Sequence, residues 1–244
     1  ESGFYWFDLD WGQEVPDDLN VYYEKEVRKN LNTCHHDMTV GCDVRGYDQG
    51  LMDVPDNTII FGNMQDEKYF HHNKELVKEW LKVKEEYDTY EYMDDDVCVL
   101  NYRGGEYVGF GELYLTREYW LKAMENMTKI NPNMKFVTIT DDVKASQAML
   151  PEIPAYHFTV DKDYAIIKNS KHVILSNSSF PFFAVYTSDT IENIIAPKYW
   201  ARHNVSDGYW SMSQNIYSGW TYQDRDGNLS TAEECVKELE KYNG

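Results

Sequence analysis

From Val97 onward the sequence predicts an α/β fold with a mostly parallel sheet, and two observations carry that expectation. Short apolar runs recur as Val97-Cys98-Val99-Leu100, Phe136-Val137-Thr138-Ile139, His172-Val173-Ile174-Leu175 and Asn193-Ile194-Ile195-Ala196. Amphipathic stretches of helical period lie between them, which is the pattern of β-α units wrapped around one sheet.

In chain order, Asp17 or Asp18 is expected to cap a helix carrying Leu19, Tyr23, Val27 and Leu31 at fourfold spacing. The Gly- and Asp-rich stretch from Gly41 to Asp56 reads as loop. A second helix is expected from Asn73 to Val83, with Leu76, Val77, Trp80 and Leu81 as its apolar positions. The acidic run Asp94-Asp95-Asp96 suggests a boundary that divides the chain into 1–95 and 96–244. Beyond it, Thr116 is placed to cap a helix bearing Tyr119, Trp120, Met124 and Met127, and Asp141 to cap one from Val143 to Leu150. Phe180 to Tyr186 is helical in pattern. A last helix, from about Thr231 to Tyr242, opens with Thr231 and Glu234 at capping-box spacing and is expected to carry Val236 and Leu239 on one face. No internal repeat is present.

Composition narrows the possible partners. The 244 residues carry a formal net charge of −19, which argues against tracking the phosphates of nucleic acid, since that needs clustered Lys and Arg. A phosphorylated ligand would have to be held locally, by a few well-placed donors. No apolar stretch approaches the roughly 20 residues of a membrane span. The 20 Tyr and 7 Trp suit core filling and also sugar rings, which pack on flat apolar faces with a polar tip. Cys34, Cys42, Cys98 and Cys235 are too few for a disulfide framework, and they do not reveal the compartment. Asn126, Asn177, Asn204 and Asn228 lie in sequons, glycosylatable only in a secretory lumen. The opening Glu1-Ser2-Gly3, with no initiator Met, reads as a processed protein or a piece of a longer one.

Two segments place polar groups directly after a buried strand, where open α/β sheets bind ligands. In Asn101-Tyr102-Arg103-Gly104-Gly105-Glu106-Tyr107, an Arg leaving a strand into a Gly-Gly turn can reach a diphosphate with its planar fork of donors. The same turn could instead simply pair Arg103 with Glu106. In Ser176-Asn177-Ser178-Ser179-Phe180, hydroxyls and backbone N–H groups precede a helix and could receive an anion or merely cap that helix.

Together these segments resemble the α-1,2-fucosyltransferase family and its relatives among the protein O- and α-1,6-fucosyltransferases. The family motif His-x-Arg-Arg-Gly-Asp-Tyr is matched by Asn101 to Tyr107, and Ser-Asn-Ser-Ser/Thr-Phe-Ser-Trp-Trp by Ser176 to Phe183. Lesser matches keep the family order: Gly62 to Phe70, Thr140-Asp141-Asp142, and Ile195 to Trp200. The likeness spans about Asn57 to Trp200.

The resemblance implies a GT-B-like fold, with two Rossmann-like α/β domains facing a cleft and the N-terminal one incomplete. It implies an inverting, metal-independent transfer of fucose from GDP-fucose to a hydroxyl of a galactoside-type glycan. Arg103 would bind the β-phosphate and stabilise departing GDP. Asn101, Gly104, Gly105, Ser176, Asn177, Ser178, Ser179 and Phe180 would shape the donor site, and Asp163 would face the guanine edge. Asp163 could equally cap a helix from Tyr164. The sequence departs from the family where its motif His is Asn101, its second Arg is Gly104, its Asp is Glu106 and its Trp pair is Phe182-Phe183. The family's Gly-Gly-Leu-Gly-Asn-Gln loop has no match before Asn57. These departures keep open a catalytically degenerate relative that binds a glycan or nucleotide or serves in an assembly.

An inverting transfer also needs a base for the acceptor hydroxyl. Glu106, Asp8, Asp10 and Glu14 are the candidates. Cys34-His35-His36, Cys42 and His71-His72 have metal-ligand chemistry without zinc spacing, so no metal is expected. Neither a G-x-S-x-G elbow nor a G-x-G-x-x-G turn is present.

Overall fold

A computed structural model describes residues 5–8, 18–24, 47–62, 64–206, 210 and 213–242. Its centre is a seven-stranded sheet of β3 (Val97–Tyr102), β4 (Lys135–Thr140), β5 (Ala155–Tyr156), β6 (His172–Leu175), β7 (Asn193–Pro197), β8 (Thr221–Gln223) and β9 (Leu229–Thr231). The spatial order is β5-β4-β3-β6-β7-β8-β9. Every pair is parallel except β8 with β9. Leaving aside the antiparallel β9, the chain fills positions outward from β3 on one side and then returns to fill the other, which is the doubly wound Rossmann order. The expected α/β class is therefore what the chain adopts. The four apolar runs all lie within strands, each pair of them joined through helix.

All six residues of β3 are buried. Its alternate side chains enter two separate apolar layers, with Val97 and Val99 on one face and Cys98, Leu100 and Tyr102 on the other. Helices cover both faces. α2 (Arg117–Ile130) brings Tyr119, Trp120, Ala123, Met124 and Met127 to one, while α4 (Val160–Asn169) and α5 (Phe180–Tyr186) bring Ile166, Ile167, Phe182 and Val185 to the other. A strand buried on both sides reads as a continuous apolar run, which is why these strands were visible as sequence.

Several local expectations are corrected. Asn20–Tyr23, expected within a helix, is strand β1, and it pairs in parallel with β2 (Thr58–Phe61) from Asn20↔Thr58 to Tyr23↔Phe61. A Val and two Tyr favour a pleated surface once a β-branched partner strand is available, and that pairing overrides the fourfold spacing. Asp17, Val27 and Leu31 lie outside the described residues. Within the expected loop, Gln49–Asp53 forms a 3-10 turn in which the Asp48 carboxylate accepts the Gly50 N–H at 3.0 Å. α1 is shorter than expected, Lys74–Trp80, because Asn73 belongs to a preceding 3-10 turn and Val83 forms a bridge with Phe7. α3 (Val143–Met149) is capped by Asp142, whose carboxylate accepts the Ala145 N–H at 2.9 Å, and not by Asp141. Thr116 precedes α2 as expected, without a side-chain capping bond.

The capping box of α6 (Ala232–Tyr242) forms reciprocally: Glu234 accepts the Thr231 N–H at 2.8 Å and Thr231 Oγ1 accepts the Glu234 N–H at 3.3 Å. Ala232, Cys235 and Leu239 are its buried face, whereas Val236 is 43% exposed and lies off it.

The N-terminal residues are built onto the sheet layer. Asp8 donates its N–H to Lys82 O at 3.0 Å and Lys84 donates to Trp6 O at 2.9 Å, so Trp6 and Phe7 join the apolar cluster that contains Tyr164 and Val173. The buried Glu24 carboxylate accepts Tyr69 Oη–H and Gln214 Nε2–H, both at 3.0 Å, tying the end of β1 to the C-terminal half. All four sequon asparagines spend Nδ2 on internal hydrogen bonds: Asn126 donates to Gln223 Oε1 and Gly227 O at 2.9 Å, Asn177 to Leu113 O at 2.7 Å, Asn204 to Gly111 O at 2.8 Å and Tyr114 O at 2.9 Å, and Asn228 to Asp224 Oδ2 at 3.0 Å. A glycan on any of them would break those bonds.

His203 is 1% exposed, packs edge-on against Tyr119 and points Nδ1 at Lys198 O, 3.1 Å away. Burial pulls its imidazole down to about 4. The unfolded chain therefore takes up this proton near pH 6.5 and the folded chain only near 4, so the fold loses stability as pH falls through that window, by up to about 3 kcal/mol. Urea unfolding midpoints measured from pH 7 to 4 are expected to fall more steeply for the wild type than for His203→Gln.

Candidate functional site

The carboxyl ends of β3 and β6 meet where the chain's winding reverses, the point at which doubly wound sheets open a crevice. Asn101 and Ser176 join those ends. Ser176 donates its N–H to Asn101 O and its hydroxyl to Asn101 Oδ1, both at 3.0 Å, and both side chains are buried. Asn177 is likewise 4% exposed, with its carboxamide spent on Leu113 O. These three residues position the two turns.

Arg103 emerges immediately beyond. Its Nη1 is 2.5 Å from Asp141 Oδ2, its Nη2 is 2.5 Å from Glu106 Oε1, and its guanidinium lies over the Tyr107 ring at 5.4 Å. Partial burial pulls the guanidinium pKa down, but the Glu106 and Asp141 carboxylates outweigh it and the net shift is upward. Glu106 is held below the usual carboxylate range by backbone hydrogen bonding and by Arg103. Both early alternatives for this turn thus coexist: Arg103 pairs with Glu106 while standing at a ligand crevice.

The Gly-Gly turn is pinned from β4. Asp141 Oδ1 accepts the Gly104 N–H at 2.9 Å and Asp142 Oδ2 accepts the Gly105 N–H at 3.3 Å. This is the physical reason that Asp141 does not cap α3: its carboxylate turns back onto Arg103 and Gly104. Gly105 has φ +52°, and a Cβ on Gly104 would stand 2.6 Å from Asp142 Cβ.

Two cavities flank Arg103. The first, about 140 Å³, is lined by Asn101, Arg103, Asp141, His157, Asp163 and Phe180, among others. The second, about 640 Å³, includes Arg103, Glu106, Ser179 and Phe180 together with other aromatic residues. Ser178 borders both. It is 5% exposed, and its Oγ accepts the Phe180 N–H at 3.3 Å, whereas Ser179 is exposed at the start of α5 with no side-chain capping bond.

Asp163 lies inside α4, whose N-cap is Thr159, so it does not cap a helix from Tyr164. Its carboxylate faces the first cavity, accepting the Phe158 N–H at 3.0 Å and holding His157 Nδ1 at 2.6 Å. Burial pushes its carboxyl up, against the opposing pull of Phe158 and His157. Neither His157 nor Tyr107 was singled out from the sequence as a site residue. His157 directly follows β5, a strand of two residues that shows no period, and Tyr107 lies in the 3-10 turn Gly105–Gly109 after β3, where periodicity carries no signal.

Asp8 lines a separate depression with Glu85, Glu86 and Asp88, and Asp10 and Glu14 lie outside the described residues, as do Cys34, His35, His36 and Cys42. Among the described residues, no group of three or more His, Cys, Asp or Glu is arranged to hold a metal ion, and no helix is long and apolar enough to cross a membrane. Gly104→Ala is expected to lower stability by about 1–3 kcal/mol through the clash with Asp142. Urea unfolding would show it as a lower midpoint at unchanged slope.

A search of curated proteins returns no match. Among solved structures the chain is similar to the beta Kdo 2,7 transferase KpsC of Thermosulfurimonas dismutans, at 17% identity and a TM-score of 0.34, over 75% of this chain and 64% of that one. It thus spans less than two thirds of that protein's chain. The sequence profile described as glycosyl transferase family 11 matches residues 42–224, a stretch that contains both cavity-forming turns, β3 to β8 and all of the first cavity's lining. With that match over well more than half its length, the chain belongs to glycosyl transferase family 11.

Proposed function

We propose that the chain binds GDP-fucose at the β3–β6 crevice and transfers fucose, with inversion and without a metal, to a hydroxyl of a galactoside-type glycan. The observation that carries this reading is the placement of Arg103, at the switch point of a family 11 glycosyltransferase and between two adjoining cavities.

In this reading the nucleoside lies in the first cavity with its base edge toward Asp163, whose two carboxylate oxygens can accept paired N–H groups once His157 turns aside. The diphosphate lies against Arg103, while Gly104 and Gly105 allow close backbone approach. A guanidinium carries five N–H donors, and two of them serve Asp141 and Glu106 here. As the diphosphate takes over the Glu106-facing donor, that carboxylate is released and regains ordinary basicity. The acceptor oxygen then bonds to the anomeric carbon as the bond from that carbon to the β-phosphate oxygen breaks. The electron pair leaves with GDP, steadied by Arg103, and the hydroxyl proton passes to Glu106. Ser178 and Phe180 border both halves of the path, and Ser179 borders the second cavity alone.

Calorimetry with GDP, GDP-fucose, UDP and UDP-glucose, each with and without EDTA, tests the donor. GDP and GDP-fucose are expected to bind regardless of chelator, and Arg103→Ala to abolish that binding; preference for the uridine ligands would sink the proposed donor. Glu106→Gln is expected to bind GDP as well as the wild type but to transfer about 10²–10⁴-fold more slowly.

A second reading is a binding-only relative. The observation that favours it is that Arg103 is held by two carboxylates while Gly104 stands where the family motif has another Arg. Tight GDP-fucose binding with no transfer to any galactoside would select it.

A further inference from the structure

His157 and Asp163 face the first cavity as a pair. His157 directly follows β5, Asp163 lies in the first turn of α4, and His157 Nδ1 stands 2.6 Å from Asp163 Oδ2. The other carboxylate oxygen accepts the Phe158 N–H at 3.0 Å. Both oxygens are therefore engaged before any ligand arrives. The two partners differ in how firmly they are fixed. The Phe158 N–H is backbone, held between β5 and α4, and Asp163 itself is 4% exposed. The His157 side chain is 42% exposed, so the imidazole alone can swing out into water.

The surrounding charges leave that imidazole as the positive partner of Asp163 whenever it is protonated. Arg103, just past β3, and Asp141, just past β4, hold each other at 2.5 Å, and Ser178 and Phe180 from the turn after β6 bring no charge. On α4, the buried Asp161 carboxylate accepts the Tyr5 hydroxyl, and Lys162 is spent on Glu91 at 2.7 Å and on the Phe158 ring. The cavity is also small. At about 140 Å³ it falls short of the roughly 300 Å³ at which ligand pockets begin, and the imidazole is the lining group that can leave.

We propose that His157 is a positioning residue of the nucleotide site: it holds the Asp163 carboxylate while the cavity is empty, and the incoming base edge displaces it, expelling its proton. The ligand is taken from the donor placement above, whereas the competition follows from the contacts of the pair. Moving a neutral imidazole off Asp163 breaks one hydrogen bond. Moving an imidazolium breaks a charge-assisted one, which is about twice as strong. The empty site thus holds the proton more tightly than the occupied site. By linkage, donor affinity is weakest where the imidazole is charged and rises with pH until it is neutral. Histidine side chains ordinarily make that change between about pH 5 and 8.

Calorimetry with GDP-fucose, in buffers of differing ionisation heat, tests this on the full chain. GDP-fucose is the probe because its diphosphate is esterified at both ends and has no proton to lose near neutrality. Wild-type affinity is expected to rise about ten- to thirtyfold from pH 5.5 to 7.5, with close to one proton released per ligand at the acid end. His157→Gln and His157→Ala should bind at least as tightly as the wild type at pH 7.5, vary less than about twofold over the same range and release no proton. The ring nitrogens of His157, followed by NMR, should shift on Asp163→Asn substitution, and GDP-fucose should move the wild-type signals the same way. A flat wild-type profile, affinity that falls with rising pH, or a pH dependence kept in both variants overturns the role of His157 and leaves the donor reading standing. GDP-fucose binding to none of the three proteins at any pH overturns the donor reading, and this role falls with it.

Discussion

The parallel pairing of β3 with β6 is the contact on which the site depends. The two strands are joined in register from Cys98↔His172 to Asn101↔Leu175, and the Asn101–Ser176 hydrogen bonds close the pair at its carboxyl end. Because β4 and β5 are added on one side of β3 and β7 and β8 on the other, no helix crosses the gap above this pair. The turns beginning at Arg103 and Ser178, far apart in sequence, therefore face each other across a crevice. Remove the pairing and neither cavity exists.

Above that crevice an acidic protein concentrates one guanidinium. With a net charge of −19, the chain has no broad positive field to draw in an anion, so selectivity must come from geometry. Asp141 serves that geometry twice, holding Arg103 through one oxygen and the Gly104 N–H through the other, while Asp142 holds Gly105 and starts α3. The cost is that Arg103 begins neutralised by two carboxylates. A ligand must compete for it, which favours multivalent phosphate over a single weak anion.

Much of this was legible in the sequence because the relevant strands are buried on both faces and bounded by turns. Val97 to Leu100 and His172 to Leu175 are continuous apolar runs, and a Gly-Gly pair or a Ser-Asn-Ser-Ser run after such a strand signals a turn. The largely exposed β1 misled, since Leu19 and Tyr23 fit a helical spacing until a partner strand about forty residues later is known. Asp141 misled for a related reason. An Asp before a helical run is usually its cap, and only the proximity of Arg103 makes the backward contact better. β5, β8 and β9, at two or three residues each, are too short to show a period.

The sequence by itself determined the α/β class, the strands at the heart of the sheet and the family, because apolar periodicity and local motifs are properties of contiguous residues. It also placed Arg103 and the Ser176 turn at strand ends. Tertiary structure alone decided what those groups meet: that Asn101, Ser176 and Asn177 are structural ties, that Arg103 is shared between Asp141 and Glu106, that Asp163 pairs with His157, and that Trp6 and Phe7 wall the second cavity. Those contacts join residues separated by as many as some 170 positions. Sheet order and packing set such distances, and no local pattern encodes them.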